Sequence, residues 1–218
     1  WIVNGYILGY GGLLLLGGRM ADLLGRRRVF LTALVVFGAA SLVGGLVDSE
    51  GLLIASRVVK GVAAAFTAPA ALSIITTTFS EGHDRNKALS IFTVFGATGY
   101  ASGLIASGAL TSIDWRLTFF APVAVVALVT IAAFIVVPRT SRPTGGHIDF
   151  AGAVTLTGGM LAAVYTIVTV PETGFTPLVT AAAVGAAVLL GAFLVLENRV
   201  REPLVRLGIF RIRSIVRA

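Results

Sequence analysis

The sequence predicts an all-α integral membrane protein, a bundle of about seven transmembrane helices, and three observations carry the prediction. The chain is 56% hydrophobic and only 12% charged, with a mean hydropathy of +0.95, whereas charged residues make up about a quarter of soluble domains. Its apolar residues fall into runs of the length, about 20 residues, that crosses about 30 Å of hydrocarbon at about 1.5 Å per residue. Basic residues collect in alternate gaps between those runs. Helices are expected rather than barrel strands, because the glycine-rich runs lack strict alternation. Abundant Gly and Ala suit close helix packing in lipid, and the absence of Cys excludes disulfides and cysteine-metal sites. The net charge of +7 would suit nucleic acid only on a soluble basic face. Here the bases sit between apolar runs, so the expected partner is the lipid bilayer and not nucleic acid.

In order, the expected spans are Trp1–Gly17, Val29–Val47, Leu52–Phe79, Ala88–Leu110, Leu117–Val137, Phe150–Val170 and Pro177–Leu196. Trp1 already lies inside an apolar run, without an initiating Met or a signal peptide, which reads as a chain continuing upstream. Between the first two spans lies Gly18–Arg28, read as a charged hinge holding Arg19, Arg26, Arg27, Arg28 and Asp22. Gly18 and Gly25 would permit sharp turns at its ends. Asp22 can pair with Arg26 or Arg27, or meet the positive end of a neighbouring helix. Such a pair stabilises little but can bias a two-state equilibrium. The alternative is that the arginines act only as a topological signal.

The third span carries Arg57 and Lys60, ionisable groups that cost at least about 2.5 kcal/mol at mid-membrane and usually face a cavity or a partner. Arg57 can alternatively snorkel to the interface. Pro69 further along is expected to kink the helix. In the fourth span, Gly99, Gly103 and Ser107 recur every four residues, with Gly96 and Gly108 nearby, a stripe that lets another helix approach closely. Tyr6, Tyr100, Ser102 and Thr98 are candidate cavity-lining residues, with packing or lipid-facing roles equally open.

The expected division is therefore a bundle of five spans over 1–137, a polar linker over 138–148, two further transmembrane helices over 149–197 and a basic segment over 198–218. The gaps holding Arg19 and Arg26–Arg28, Arg85 and Lys87, Arg139 and Arg142, and the arginines after Asn198 fall on one side, and only Arg116 on the other. The first side is therefore cytoplasmic. No metal, cofactor or enzyme chemistry is expected. His83 and His147 stand in separate loops without ligand spacing, and Gly96–Gly103 lacks the Lys-Ser/Thr of a phosphate loop. The only lysines, Lys60 and Lys87, are not where a retinal protein would need one.

The motif Gly18-x-x-x-Asp22-x-x-Gly25-Arg26-Arg27-Arg28 resembles the loop between the second and third helices of the major facilitator superfamily. Arg57-Val58-Val59-Lys60-Gly61 with Pro69 resembles its fourth-helix motif, and Gly99-x-x-x-Gly103-Leu104-x-x-Ser107-Gly108 the fifth-helix motif of antiporters. Trp115-Arg116 with Phe119 resembles the start of the sixth helix. Asp149-Phe150-x-Gly152, the two extra spans and Glu202-Pro203-Leu204 through Phe210-Arg211 resemble the fourteen-span drug/proton antiporters, of which this chain would cover the second to eighth helices.

The resemblance implies a multi-pass transporter of the bacterial inner membrane, exporting drugs or other amphipathic small molecules in exchange for protons by alternating access. It places Asp22 and Arg26 or Arg27 in a cytoplasmic gate, with Gly18, Gly25 and Arg28. It links Arg57 to proton movement, gives it packing room at Gly61, and has Gly99, Gly103 and Gly108 shape a bend that seals the fifth helix. The chain departs from the pattern at Leu104, where antiporters have proline, at Ser107, where they have glycine, and at Lys60, where glutamine is common. No carboxylate lies mid-span, so a coupling acid is expected outside this stretch of sequence. A facilitator or importer of a small metabolite, and a non-transporting membrane protein that binds a ligand or partner, are the alternatives.

Overall fold

A computed structural model describes residues 2–138 and 150–197. They form seven helices: α1 (Ile2–Leu24), α2 (Arg26–Leu46), α3 (Glu50–Thr78), α4 (His83–Ile113), α5 (Leu117–Val136), α6 (Phe150–Thr173) and α7 (Pro177–Glu197). Each is long and apolar enough to cross a membrane, and no strand occurs among the described residues. The expected all-α bundle is therefore observed. Residues 139–149 and 198–218, including His147 and most of the expected linker and basic segment, lie outside the described residues.

The hinge is shorter than its charge content suggested. Helix α1 runs through Gly18, Arg19 and Asp22 to Leu24, and α2 begins at Arg26, so the interruption is Gly25 alone. Its φ of 97° lies in the left-handed region, where glycine carries no Cβ penalty. Gly18 is thus not at a turn. The charge of this stretch suggests a loop, but Arg, Met, Ala and Leu are good helix formers, and Ala21 within it is fully buried. His83 likewise begins α4 instead of standing in a loop.

Neighbouring helices run in the spatial order α5, α2, α3, α1, α6, α7, while α4 leans lightly on α3 and α5. The tightest seam joins α1 to α3. A Cβ at Gly9 would lie 2.5 Å from the Val58 carbonyl oxygen and 2.9 Å from the Val62 nitrogen, so the two backbones are in direct contact there. Gly17 and Gly61 continue the seam, against Ala65 and Tyr6 respectively. Small residues at such crossings let helices gain van der Waals contact where lipid supplies no hydrophobic drive.

Helix α3 continues through Pro69 without interruption. Proline removes the amide that would serve the carbonyl four residues earlier, that of Ala65, and this is the carbonyl facing Gly17. The weakened turn of α3 is therefore one of the places where α1 meets its backbone directly. At the other end of α2, Gly44 and Gly45 seat the rings of Phe119 and Phe120 of α5. Helix α6 docks on α1 where Leu161 covers Gly12, and pairs with α7 where Leu190 covers Gly159. By contrast α4 has no buried residue, and no described atom lies within 4 Å of a Cβ built at Gly96, Gly99, Gly103 or Gly108.

Candidate functional site

The arginine-rich end is built around the one-residue joint. Asp22 Oδ1, on the last turn of α1, accepts from Arg26 Nε at 3.2 Å and lies 3.1 Å from Arg26 Nη2, so Arg26 is the chosen partner of the two expected. Ser73 Oγ of α3 also donates to Asp22 Oδ1, at 3.4 Å. The side chains are 49% and 27% exposed, so the pair is a surface contact of about 0–1 kcal/mol. Arg27 turns the other way. Its Nη2 donates to the Phe134 carbonyl at 2.7 Å and its guanidinium lies 5.1 Å from the Phe134 ring centre, tying the start of α2 to the last turn of α5. Arg28 borders an apolar cavity of about 450 Å³ with Leu24, Val29, Val36, Val62 and Phe66. Gly18 faces Pro69 at ordinary van der Waals distance, and Gly25 meets nothing within 4 Å.

The opposite end has a latch that sequence reasoning missed. Arg116, at the start of α5, donates to Asp48 beyond α2 and, through Nη1, to the Gly45 carbonyl at 3.1 Å. Its guanidinium stacks 4.9 Å from the Trp115 ring centre. The available signal was that Arg116 is the lone base of its side, with Asp48 in the preceding loop of that side.

Between the ends, Arg57 and Lys60 point into the bundle. The Arg57 guanidinium lies 5.7 Å from the Tyr6 ring centre and 5.6 Å from that of Phe119. Lys60 is 3% exposed, with Nζ 5.0 Å from the ring centres of Phe37 and Phe119. Phe119 thus holds both cations, a contact favoured by the ring quadrupole and strengthened away from water. Gly61, one residue on, is filled by the Tyr6 backbone of α1. Tyr6 and Phe37 also line a second cavity of about 410 Å³, with Tyr10, Thr67, Phe92 and Val126. Of the candidate lining residues, Tyr6 therefore reaches a cavity, while Tyr100, 74% exposed, does not, nor do Thr98 and Ser102 line it.

The structure thus gathers the arginine-rich joint, and separately Arg57, Lys60 and Gly61, but leaves Gly99, Gly103, Leu104, Ser107 and Gly108 on a face uncovered by any described residue. No group of His, Asp or Glu among the described residues is arranged to hold a metal ion.

Among the described residues, an all-helical bundle of membrane-length helices with charge clusters at both ends and a cavity between them is an architecture suited to a membrane transporter. The chain matches the Major Facilitator Superfamily over residues 1–210 and belongs to it. It is 40% identical over 212 residues to a puromycin resistance protein of Streptomyces alboniger, covering 96% of this chain and 42% of the relative. It is 40% identical over 211 residues to the cephamycin export protein CmcT of Amycolatopsis lactamdurans, covering 94% and 43% respectively. A tetracenomycin C resistance and export protein of Streptomyces glaucescens is 33% identical over 215 residues, with 97% and 40% covered. The chain thus spans about two fifths of the length of these curated relatives.

Proposed function

We propose that the protein takes part in proton-coupled export of amphipathic organic compounds across a bacterial inner membrane, by alternating access. The observation that carries this reading is the joint at Gly25. Asp22 is shared between Arg26 of the next helix and Ser73 of α3, while Arg27 holds α5. These are weak, half-exposed contacts at a helix joint, suited to breaking and re-forming between states separated by a few kcal/mol. The arginine-rich side is the cytoplasmic side by its charge excess. The relatives' names, resistance and export proteins, support the outward direction.

In this reading residues 1–137 act as a transport bundle, 138–148 as a cytoplasmic linker, 149–197 as two added membrane helices and 198–218 as a basic lead into further chain. Gly18, Asp22, Gly25, Arg26, Arg27 and Arg28 form the cytoplasmic gate. Arg57, Lys60 and Gly61 belong to the coupling or cavity region. Gly99, Gly103, Leu104, Ser107 and Gly108 offer a packing stripe to a further helix. The described carboxylates stand at or beyond helix ends, so the acid that exchanges the proton is assigned to chain outside them. The test is accumulation of a fluorescent amphiphile in cells making the full-length gene product. Lower accumulation than in control cells, abolished by a protonophore, is the expected result. Lower accumulation that persists without the proton gradient would refute coupling, and accumulation equal to control would refute export.

A further inference from the structure

Lys60 is a buried cation with no carboxylate partner among the described residues. It is 3% exposed on the membrane-embedded part of α3, and no hydrogen bond or ion pair to its ammonium is formed by the described residues. The described carboxylates stand elsewhere: Asp22 pairs with Arg26, Asp48 with Arg116, Glu81 with Arg85, and Glu172 accepts from Asn4. What Lys60 has are two ring faces, Phe37 and Phe119, each 5.0 Å from Nζ. One turn away, Arg57 lies on Phe119 and on Tyr6. A buried charge of this kind is retained at a cost of several kcal/mol only where something offsets it, and cation–π contact offsets only part.

Two of the three rings that hold these cations, Tyr6 and Phe37, are also cavity wall. They face an open cleft of about 410 Å³ that Tyr10, Thr67 and Phe92 also line. A solute in that space therefore meets aromatic surface backed by positive charge. Cationic solutes find rings already engaged by Arg57 and Lys60, and are repelled by the charges behind them. A solute with an acidic group is attracted, and its apolar part packs on the same rings.

We infer that this cavity selects amphipathic organic anions, compounds joining an aromatic body to a carboxylate or similar acidic group, and that Lys60 sets that preference. The inference rests on the export reading for its physiological meaning but not for its measurement. At about 10 Å and an effective dielectric of about 20, one unit charge changes the occupancy of a charged ligand by roughly tenfold, upward for an anion and downward for a cation. Lys60→Met should therefore lower the anion-to-cation binding ratio by roughly a hundredfold.

The experiment is fluorescence titration of the purified full-length gene product with two dyes of one aromatic scaffold, one bearing a carboxylate and one a quaternary ammonium. Wild type, Lys60→Met and Lys60→Arg are compared, with a monodisperse gel-filtration profile required of each. The expected result is preference for the carboxylate dye in wild type and Lys60→Arg, and loss of that preference in Lys60→Met. An unchanged ratio in Lys60→Met, or a wild type that favours the quaternary dye, overturns the inference. Should Lys60→Met not give a monodisperse sample, Lys60→Gln replaces it under the same criteria. Transport of the same dyes by vesicles is measured in parallel. A retained binding preference without transport counts against export and leaves the charge selection standing.

Discussion

Replacing Gly61 by alanine tests the contact on which the α1–α3 seam depends. The new Cβ would lie 3.0 Å from both the Tyr6 carbonyl carbon and the Tyr10 nitrogen, and closer still to the Tyr6 oxygen. These are backbone atoms, so no side chain can swing aside. The helices must separate by about 1 Å, a gap that forfeits a quarter to a half of each affected van der Waals well. Overpacking of this kind costs about 1–3 kcal/mol, offset by the roughly 1 kcal/mol gained when alanine replaces a mid-helix glycine. The net loss is up to about 2 kcal/mol. Gly51→Ala is the internal control. It sits on the first turn of α3, where a Cβ meets nothing within 4 Å, so it should be neutral or slightly stabilising. Thermal unfolding of the purified protein, followed by fluorescence-detected gel filtration, should show a lower midpoint for Gly61→Ala and none for Gly51→Ala. Equal midpoints for both variants would refute direct backbone contact at this crossing.

Asp22→Asn should leave expression and thermal stability within about 1 kcal/mol of wild type, yet impair efflux in the accumulation assay; unchanged efflux would remove Asp22 from the gate. Arg27→Ala should cost about 1 kcal/mol through loss of the charged hydrogen bond and ring contact at Phe134, read as a lower unfolding midpoint, whereas Arg28→Ala should not. Arg116→Ala should destabilise more than Asp48→Ala, because Arg116 also serves the Gly45 carbonyl and stacks on Trp115; the reverse order of midpoints would count against that arrangement. Gly103→Leu should leave the unfolding midpoint of residues 1–218 unchanged, since no described residue covers it, but should reduce efflux by the full-length product if a further helix packs there.

Much of the bundle was legible because lipid makes long apolar runs unambiguous, and all seven expected spans appear as helices. The ends were less so. Arg19 and Asp22 looked like loop residues, yet a helix can project both into the interface without breaking, so only Gly25 departs from helical geometry. The glycine stripe of α4 drew notice by its regular spacing, while glycines at direct backbone contact, Gly9 and Gly17 on α1 and Gly61 on α3, lie on two helices far apart in sequence. Spacing along one helix cannot say which neighbour will meet it. The same limit hid Phe37 and Phe119: Lys60 was conspicuous as a cation in an apolar run, but its ring partners sit on α2 and α5 and become neighbours only when the helices assemble.

The joint at Gly25 has a mechanical consequence. Two helices of 23 and 21 residues meet at one residue, leaving no slack for them to slide independently, so relative motion there must be angular. A helix of 21 residues is about 30 Å long, and a tilt of about 5° at its base carries its tip roughly 3 Å. The tip of α2 holds Gly44 and Gly45 against Phe119 and Phe120. A small swing at the arginine end is thereby levered onto the ring that carries Arg57 and Lys60, gearing the two ends of the protein without any continuous chain of charges between them.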